Sequence, residues 1–171
     1  MKDKINFGFT LIELLVVLAI IGILAAVGVV AYSGFTENAK ENATKSNHNI
    51  FVRFISAQLL KCVSQGNQGY FEVKSATNNP GFQMEPCNLS KTNTSHLMHT
   101  FPNHFTNENF RNPFMPKEPQ LHGDHSWTFG IPAQGFTHIT MSPDHKILYL
   151  TTTFKTGVSP LVTAIIDPRR E

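Results

Sequence analysis

One carboxylate lies inside an otherwise apolar segment near the N-terminus. Residues 9–31 read FTLIELLVVLAIIGILAAVGVVA, and 19 of these 23 are apolar. An acidic side chain costs about 2.5–3.5 kcal/mol at the centre of a membrane helix and less near its end. This carboxylate is Glu13. It is therefore expected either to pair with a positive charge or to be tolerated at the membrane surface. The nearest candidate cation is the amine that cleavage after Gly8 would create at Phe9.

Two cysteines, Cys62 and Cys87, form the second candidate site. If this part of the chain is exported, an even cysteine count favours one disulfide, whereas a cytosolic location favours two free thiols. We expect export, and therefore a bridge that contributes about 3 kcal/mol by restricting the unfolded chain.

Histidines form the third candidate. The chain holds two HxxH pairs, His96 with His99 and His122 with His125, and His104 lies between them. A metal site needs several ligands that converge with supporting hydrogen bonds. We expect surface histidines instead, and no metal or cofactor. A calcium site is not predicted either, because Asp124 and Asp144 are isolated in the sequence.

The composition argues against an enzyme and against a strong nucleic-acid binder. No nucleophile elbow, phosphate-binding glycine loop or CxxC pair is present. The net charge of +2 is small for binding DNA, although Lys91, Arg111 and Lys117 are candidates for a weak basic patch. Charged residues make up 15% of the chain, against about 25% in ordinary soluble domains.

The apolar segment itself allows several interpretations. Residues 9–32 would span about 36 Å as a helix, enough to cross a membrane. Lys2 and Lys4 supply the positive flank of a secretory signal, but the apolar run exceeds the usual length of about 7–15 residues. A plain membrane anchor is the second interpretation, and it leaves Glu13 unexplained.

The ordered set Gly8-Phe9-Thr10-Leu11-Ile12-Glu13, followed by an unbroken apolar run, resembles the type III signal of type IV pilins and pseudopilins. The resemblance implies that a prepilin peptidase cleaves between Gly8 and Phe9 and that Phe9 is then N-methylated. It also implies that Glu13 pairs with the Phe9 amine of a neighbouring subunit and so sets the register of assembly.

The sequence departs from this family at one position. Pilins often carry a proline near the middle of the helix, where this chain has Val30 with Gly22 and Gly28 nearby. Glycine costs about 1 kcal/mol in a helix interior relative to alanine. We therefore expect Gly22 and Gly28 to allow either helix flexibility or close approach of neighbouring helices.

The candidate residues Glu13 and Cys62 are both on a single long helix, which is predicted from about Thr10 to about Val63. Residues 9–32 are apolar all round, and residues 33–63 are amphipathic, which requires a sheet against one side. We predict Glu41 to pair with Lys45 and His48 to be solvated. The predicted apolar stripe is Phe35, Ala39, Ala43, Ile50, Phe54 and Leu59, with Phe51, Ile55 and Val63 beside it.

The rest of the chain predicts a loop over 64–125 and a sheet over 126–171. Within the loop, 70–74 reads as a short strand and 97–105 as a short helix or turn. The predicted sheet is an antiparallel meander of strands at 126–131, 135–141, 146–153 and 161–166. The fold class is therefore α+β, with a long N-terminal helix packed on a C-terminal antiparallel sheet in a pilin-like ladle.

The combined interpretation is a structural subunit of a type IV pilus, with residues 1–8 as a cleaved leader. The implied partners are other copies in a helical filament, other pilins, a prepilin peptidase and an inner-membrane assembly platform. The implied location is the inner membrane with a periplasmic body, then a surface pilus or periplasmic pseudopilus. Filament roles include adhesion, motility or DNA uptake. Alternatives are a pseudopilin of a type II secretion system, a singly anchored periplasmic binding or enzymatic domain, and a DNA-binding minor pilin.

Overall fold

The computed structural model describes residues 9–66, 68–74, 81–88, 94–123 and 131–168. The chain forms two compact units, residues 1–39 and 40–171. In chain order the elements are α1 (Leu11–Ser64), β1 (Tyr70–Lys74), β2 (Phe82–Pro86), α2 (Thr94–Asn107), β3 (Leu121–Gly123), β4 (Thr137–Met141), β5 (Ile147–Thr152) and β6 (Leu161–Ile166). The predicted α+β class is confirmed.

Helix α1 runs unbroken over 54 residues, within one residue of the predicted bounds. Its sequence contains no proline, and its first half consists mainly of Ala, Leu, Ile and Val. The helix ends where Gly66 adopts a left-handed conformation, with φ of +66°, and donates its amide to the Val63 carbonyl at 2.9 Å. Glycine is the residue that takes this conformation at no steric cost.

The buried face of α1 differs from the predicted stripe. Phe35 is 72% exposed and Ile50 41% exposed, so that stripe faces outward along much of its length. The buried positions are spaced by three or four residues, as one helix face requires. They are Glu41, Thr44, His48, Phe51, Ile55, Leu59 and Cys62. The prediction was wrong because three of the buried residues at one end of this face are polar. The buried face therefore does not appear in the sequence as a regular spacing of apolar residues.

The main sheet has the order β3-β4-β5-β6. Strands β4, β5 and β6 form the predicted antiparallel meander, with Thr152 opposite Thr137 and Leu161. Strand β3 was not predicted, and it pairs parallel to β4, so the sheet is mixed. Residues 126–130 of the predicted first strand lie outside the described residues, and Ile131 is not in a strand.

A second, two-stranded sheet comes from the segment predicted as a loop. Strand β1 has the predicted bounds, and the unpredicted β2 pairs with it antiparallel, with Tyr70 opposite Pro86. Helix α2 extends the predicted helical turn at both ends. It packs against β1 on one side and β3 on the other, with the Phe101 ring 5.8 Å from that of Phe71.

Aromatic side chains join the two helices in the core. The Phe51 ring centroid lies 4.4 Å from Phe105 and 5.4 Å from Phe110. Both Phe51 and Phe105 are buried, as are Leu148 and Leu150 on the sheet side of the same cluster. The amphipathic half of α1 therefore supplies part of the hydrophobic core, as predicted, although through a different helix face.

Gly123 marks a close approach between β3 and α2. A Cβ at this position would clash with the carbonyl oxygen of Met98. That carbonyl has no partner four residues later because Pro102 lacks an amide hydrogen. The backbone of β3 therefore lies directly against the backbone of α2 here, with Gly123 at the end of the strand and Pro102 inside the helix.

Candidate functional site

Helix α1 begins with a reciprocal pair of hydrogen bonds between Thr10 and Glu13. The amide and hydroxyl of Thr10 donate to Glu13 Oε2 at 2.8 and 2.9 Å, and the Glu13 amide donates to Thr10 Oγ1 at 3.3 Å. This is a capping box, which satisfies amide groups that have no partner within the helix. This capping box was not predicted, although the T-x-x-E spacing at a helix start is its signal.

The capping box fixes where the carboxylate of Glu13 lies relative to the predicted cleavage junction. Phe9 directly precedes the cap and its side chain is 85% exposed, while Gly8 lies outside the described residues. A helix N-terminus carries partial positive charge, and a free amine at Phe9 would add a full one. A carboxylate in the first turn therefore meets positive charge from its own helix before any partner arrives.

The first half of α1 presents apolar side chains on every side. From Leu11 to Val30 its large apolar side chains are 47–89% exposed. In the described part of the chain, α1 is the helix long and apolar enough to cross a membrane. Folded monomers rarely expose apolar patches larger than a few hundred Å², so this surface requires lipid or other protein chains around it.

Gly22 and Gly28 lie inside this exposed half. The helix continues through both residues, and apart from its own adjacent backbone no described atom lies within 4 Å of where a Cβ would be. The described part of the single chain therefore leaves room for a larger residue at either position. Their proposed contribution to helix flexibility or to close packing stays a prediction about the assembled state.

The predicted disulfide between Cys62 and Cys87 is confirmed. Their Cα atoms lie 5.6 Å apart, and both residues are buried. Cys62 is in the last turns of α1, and Cys87 directly follows β2. The bridge therefore fastens the β1–β2 hairpin to the end of the long helix.

The described histidines of the two HxxH pairs have separate surroundings. His96 Nε2 lies 2.8 Å from Glu85 Oε2, whereas His99 is exposed. His104 is buried, stacks on a phenylalanine ring and accepts the Lys74 amide through Nδ1 at 2.9 Å. His122 is on β3, and His125 lies outside the described residues. Among the residues that the structure describes, no three His, Cys, Asp or Glu side chains are placed to hold a metal ion.

Of the candidate acidic and basic residues, Asp144, Arg111 and Lys117 lie in the described part of the chain. Asp144 accepts hydrogen bonds from Ser142 Oγ and from the Lys146 amide, and these bonds lower the pKa of its carboxyl. Arg111 donates to Asn109 at 3.1 Å. Lys91 and Asp124 fall outside the described residues. The weak basic patch and a calcium site therefore gain no support from the described positions.

The prediction that His48 is solvated is wrong. Its side chain is 1% exposed, with Nδ1 2.7 Å from Thr152 Oγ1 and Nε2 2.8 Å from Thr163 Oγ1. The predicted Glu41–Lys45 pair is also absent, since Glu41 pairs with Lys155 at 3.2 Å. The side chains of His48 and Glu41 both turn toward the sheet and its loops. The partners that these offer cannot be predicted from the helix sequence alone.

Comparisons with known proteins identify the N-terminal segment. Residues 4–29 match the family model described as the prokaryotic N-terminal methylation motif. The chain is 50% identical over 42 residues to the type IV major pilin protein PilA of Myxococcus xanthus (strain DK1622). That stretch covers 25% of this chain and 19% of the pilin. No solved structure matches significantly. Both matches support the type IV pilin family to which the sequence resemblance pointed.

Proposed function

We propose that this chain is a structural subunit of a type IV pilus filament. It is made as a prepilin, cleaved between Gly8 and Phe9 by a prepilin peptidase and N-methylated on Phe9. The observation that carries this proposal is the exposed apolar half of α1, which begins two residues after the methylation-motif junction. A cleaved leader places a new amine at the start of a helix that needs partners along its whole apolar length.

Assembly exchanges one apolar environment for another. Before assembly, the apolar half of α1 lies in the inner membrane, and the body with the disulfide is periplasmic. During assembly, an inner-membrane platform transfers the helix from lipid to the helices of neighbouring subunits. Because lipid and helix bundle are similarly apolar, packing and polar contacts have to drive the transfer. The small residues Gly22 and Gly28 let helices approach closely or bend.

Glu13 has two successive roles in this proposal. In the single subunit it caps its own helix through Thr10. In the filament it also faces the Phe9 amine of a neighbouring subunit, which sets the axial register. A carboxylate has two oxygens and about four acceptor positions, so the cap and the ion pair are compatible.

A pseudopilin of a type II secretion system is the second candidate, since it shares the N-terminal signal. The similarity to a protein named as a major pilin favours the pilus. The Cys62–Cys87 bridge leans the same way, as does the dispersed placement of the described acidic residues. A singly anchored periplasmic domain would leave the Gly8–Phe9 junction without a use.

The proposal predicts that Gly8→Leu keeps the chain in the membrane at full length. A leucine side chain hinders close access of the peptidase to the backbone, which glycine permits. The measurement is immunoblotting of surface-sheared and membrane fractions from cells with a type IV pilus system. A Phe7→Leu variant, which leaves Gly8 in place, serves as the matched control and should be processed. Normal processing and shearing of Gly8→Leu would contradict the proposal.

A further inference from the structure

A polar layer separates part of α1 from the sheet. The buried positions of α1 change from Phe51, Ile55 and Leu59 near its end to Glu41, Thr44 and His48 nearer the middle. The strands opposite this polar stretch present the buried threonines Thr137 on β4 and Thr152 on β5. Helix and sheet are therefore held together here by hydrogen bonds instead of apolar packing.

His48 is at the centre of this layer. Each ring nitrogen is hydrogen-bonded to a threonine on a different strand, Thr152 on β5 and Thr163 on β6. Thr152 Oγ1 is in turn 2.7 Å from Thr137 Oγ1 on β4. One helical side chain thus links α1, directly or through one hydroxyl, to three adjacent strands.

A second contact of the same layer extends it to the segment before β3. Asn47 Nδ2 donates to Gln120 Oε1 at 2.6 Å, and Gln120 Nε2 donates to the Thr44 carbonyl at 3.4 Å. Gln120 is fully buried, and its carbonyl accepts the Thr137 amide at 2.8 Å. These amide contacts do not titrate, so they add no pH dependence to the layer.

The surroundings of His48 suit a neutral imidazole and not a charged one. Threonine hydroxyls can either donate or accept, so a neutral ring satisfies both of its nitrogens. The strands packed on the ring offer hydroxyls, and no described carboxylate is bonded to it. Burial lowers the pKa of His48 to about 4. An imidazolium here would be a desolvated charge without a counter-ion.

The other charged groups near this layer do not supply that counter-ion. On α1, Glu41 is paired with Lys155, and Lys45 lies over the Phe154 ring at 4.1 Å. Asp167, buried just after β6, is four residues beyond Thr163 in the sequence. Burial therefore opposes the protonation of His48.

We propose that His48 is an acid-sensitive latch that holds residues 40–63 of α1 on the sheet and weakens as the pH falls. The unfolded or released histidine binds a proton near its ordinary pKa of 6.5, whereas the docked ring resists it until about 4. Docking is thus at full strength above pH 6.5 and weakens as the pH falls. This inference concerns the folded body and does not depend on filament assembly.

The test is equilibrium urea unfolding of the full chain in detergent micelles, followed by near-UV circular dichroism between pH 7 and 4. From the two pKa values, the folded-to-unfolded ratio should fall about 20-fold by pH 5 and about 100-fold by pH 4 through His48 alone. His48→Gln, whose amide can both donate and accept but does not titrate, should remove this part of the pH dependence. His99→Gln, at an exposed histidine, is the matched control and should retain it.

An unchanged pH dependence in His48→Gln would overturn the proposal. If that variant does not fold, a histidine titration of the wild-type chain by NMR decides instead. A His48 resonance that titrates near 4 supports the latch, and one that titrates near 6.5 overturns it. Hydrogen exchange at pH 5 adds a structural readout, since the latch predicts faster exchange in residues 41–48 than in the apolar stretch that follows.

Discussion

Glu13→Ala should abolish filaments while leaving cleavage and methylation intact. Without the carboxylate, each Phe9 amine enters the filament core as an unpaired charge, which costs about 3–5 kcal/mol. That cost corresponds to a factor of roughly 10² to 10³ or more in the equilibrium for adding each subunit. The measurement is the amount of pilin in the surface-sheared fraction relative to wild type. The processed Glu13→Ala chain should accumulate in the inner membrane.

Thr10→Ala is the matched control for this prediction. It removes the capping hydroxyl but keeps the Glu13 carboxylate, and the loss of a helix cap costs about 1 kcal/mol. Filaments should therefore persist in Thr10→Ala, at a reduced amount. If Thr10→Ala and Glu13→Ala lose filaments equally, capping explains the role of Glu13. If Glu13→Ala assembles normally, the register argument is wrong.

Removal of the disulfide by Cys62→Ala with Cys87→Ala should lower the free energy of unfolding by about 3 kcal/mol. The bridge spans a sequence separation of 25 and restricts the unfolded chain accordingly. It also fastens a hairpin of two strands, which is marginally stable alone in water. The measurement is urea unfolding of the full chain in detergent at neutral pH.

Reduction of the wild-type chain is the control for that experiment. Dithiothreitol should reduce the stability of the wild type by a similar amount and leave the double variant unchanged. Proteolysis should then cut first within residues 68–88, the segment that the bridge ties to α1. A loss below 1 kcal/mol, or equal sensitivity of both proteins to dithiothreitol, would show that the hairpin holds without the bridge.

The sequence predicted the elements whose residues determine their own structure. The apolar and then amphipathic run predicted α1 almost to its ends, because composition and the absence of proline suffice for a helix. Strand β6 was predicted with its observed bounds from LVTAII, a β-branched run between turn residues. Both rest on local propensity that the tertiary structure does not oppose.

The elements that were missed owe their structure to distant partners. Strand β2 reads FQMEP, which has little β-propensity and ends in proline, and it forms by pairing with β1. Strand β3 has three residues and forms beside β4 against α2. The burial of His48 likewise depends on hydroxyls more than 100 residues away in the sequence. The capping box, in contrast, is a local feature that could have been predicted from the spacing of Thr10 and Glu13.

We expect the exposed apolar half of α1 to start at a processed Phe9 and to become the core of a polymer. Mass spectrometry of filaments sheared from the cell surface tests it most directly. We expect an abundant N-terminal peptide that begins at N-methylated Phe9. A chain that stays in the membrane with Met1 intact, or one cut near Ser33 and released without its apolar helix, would contradict it.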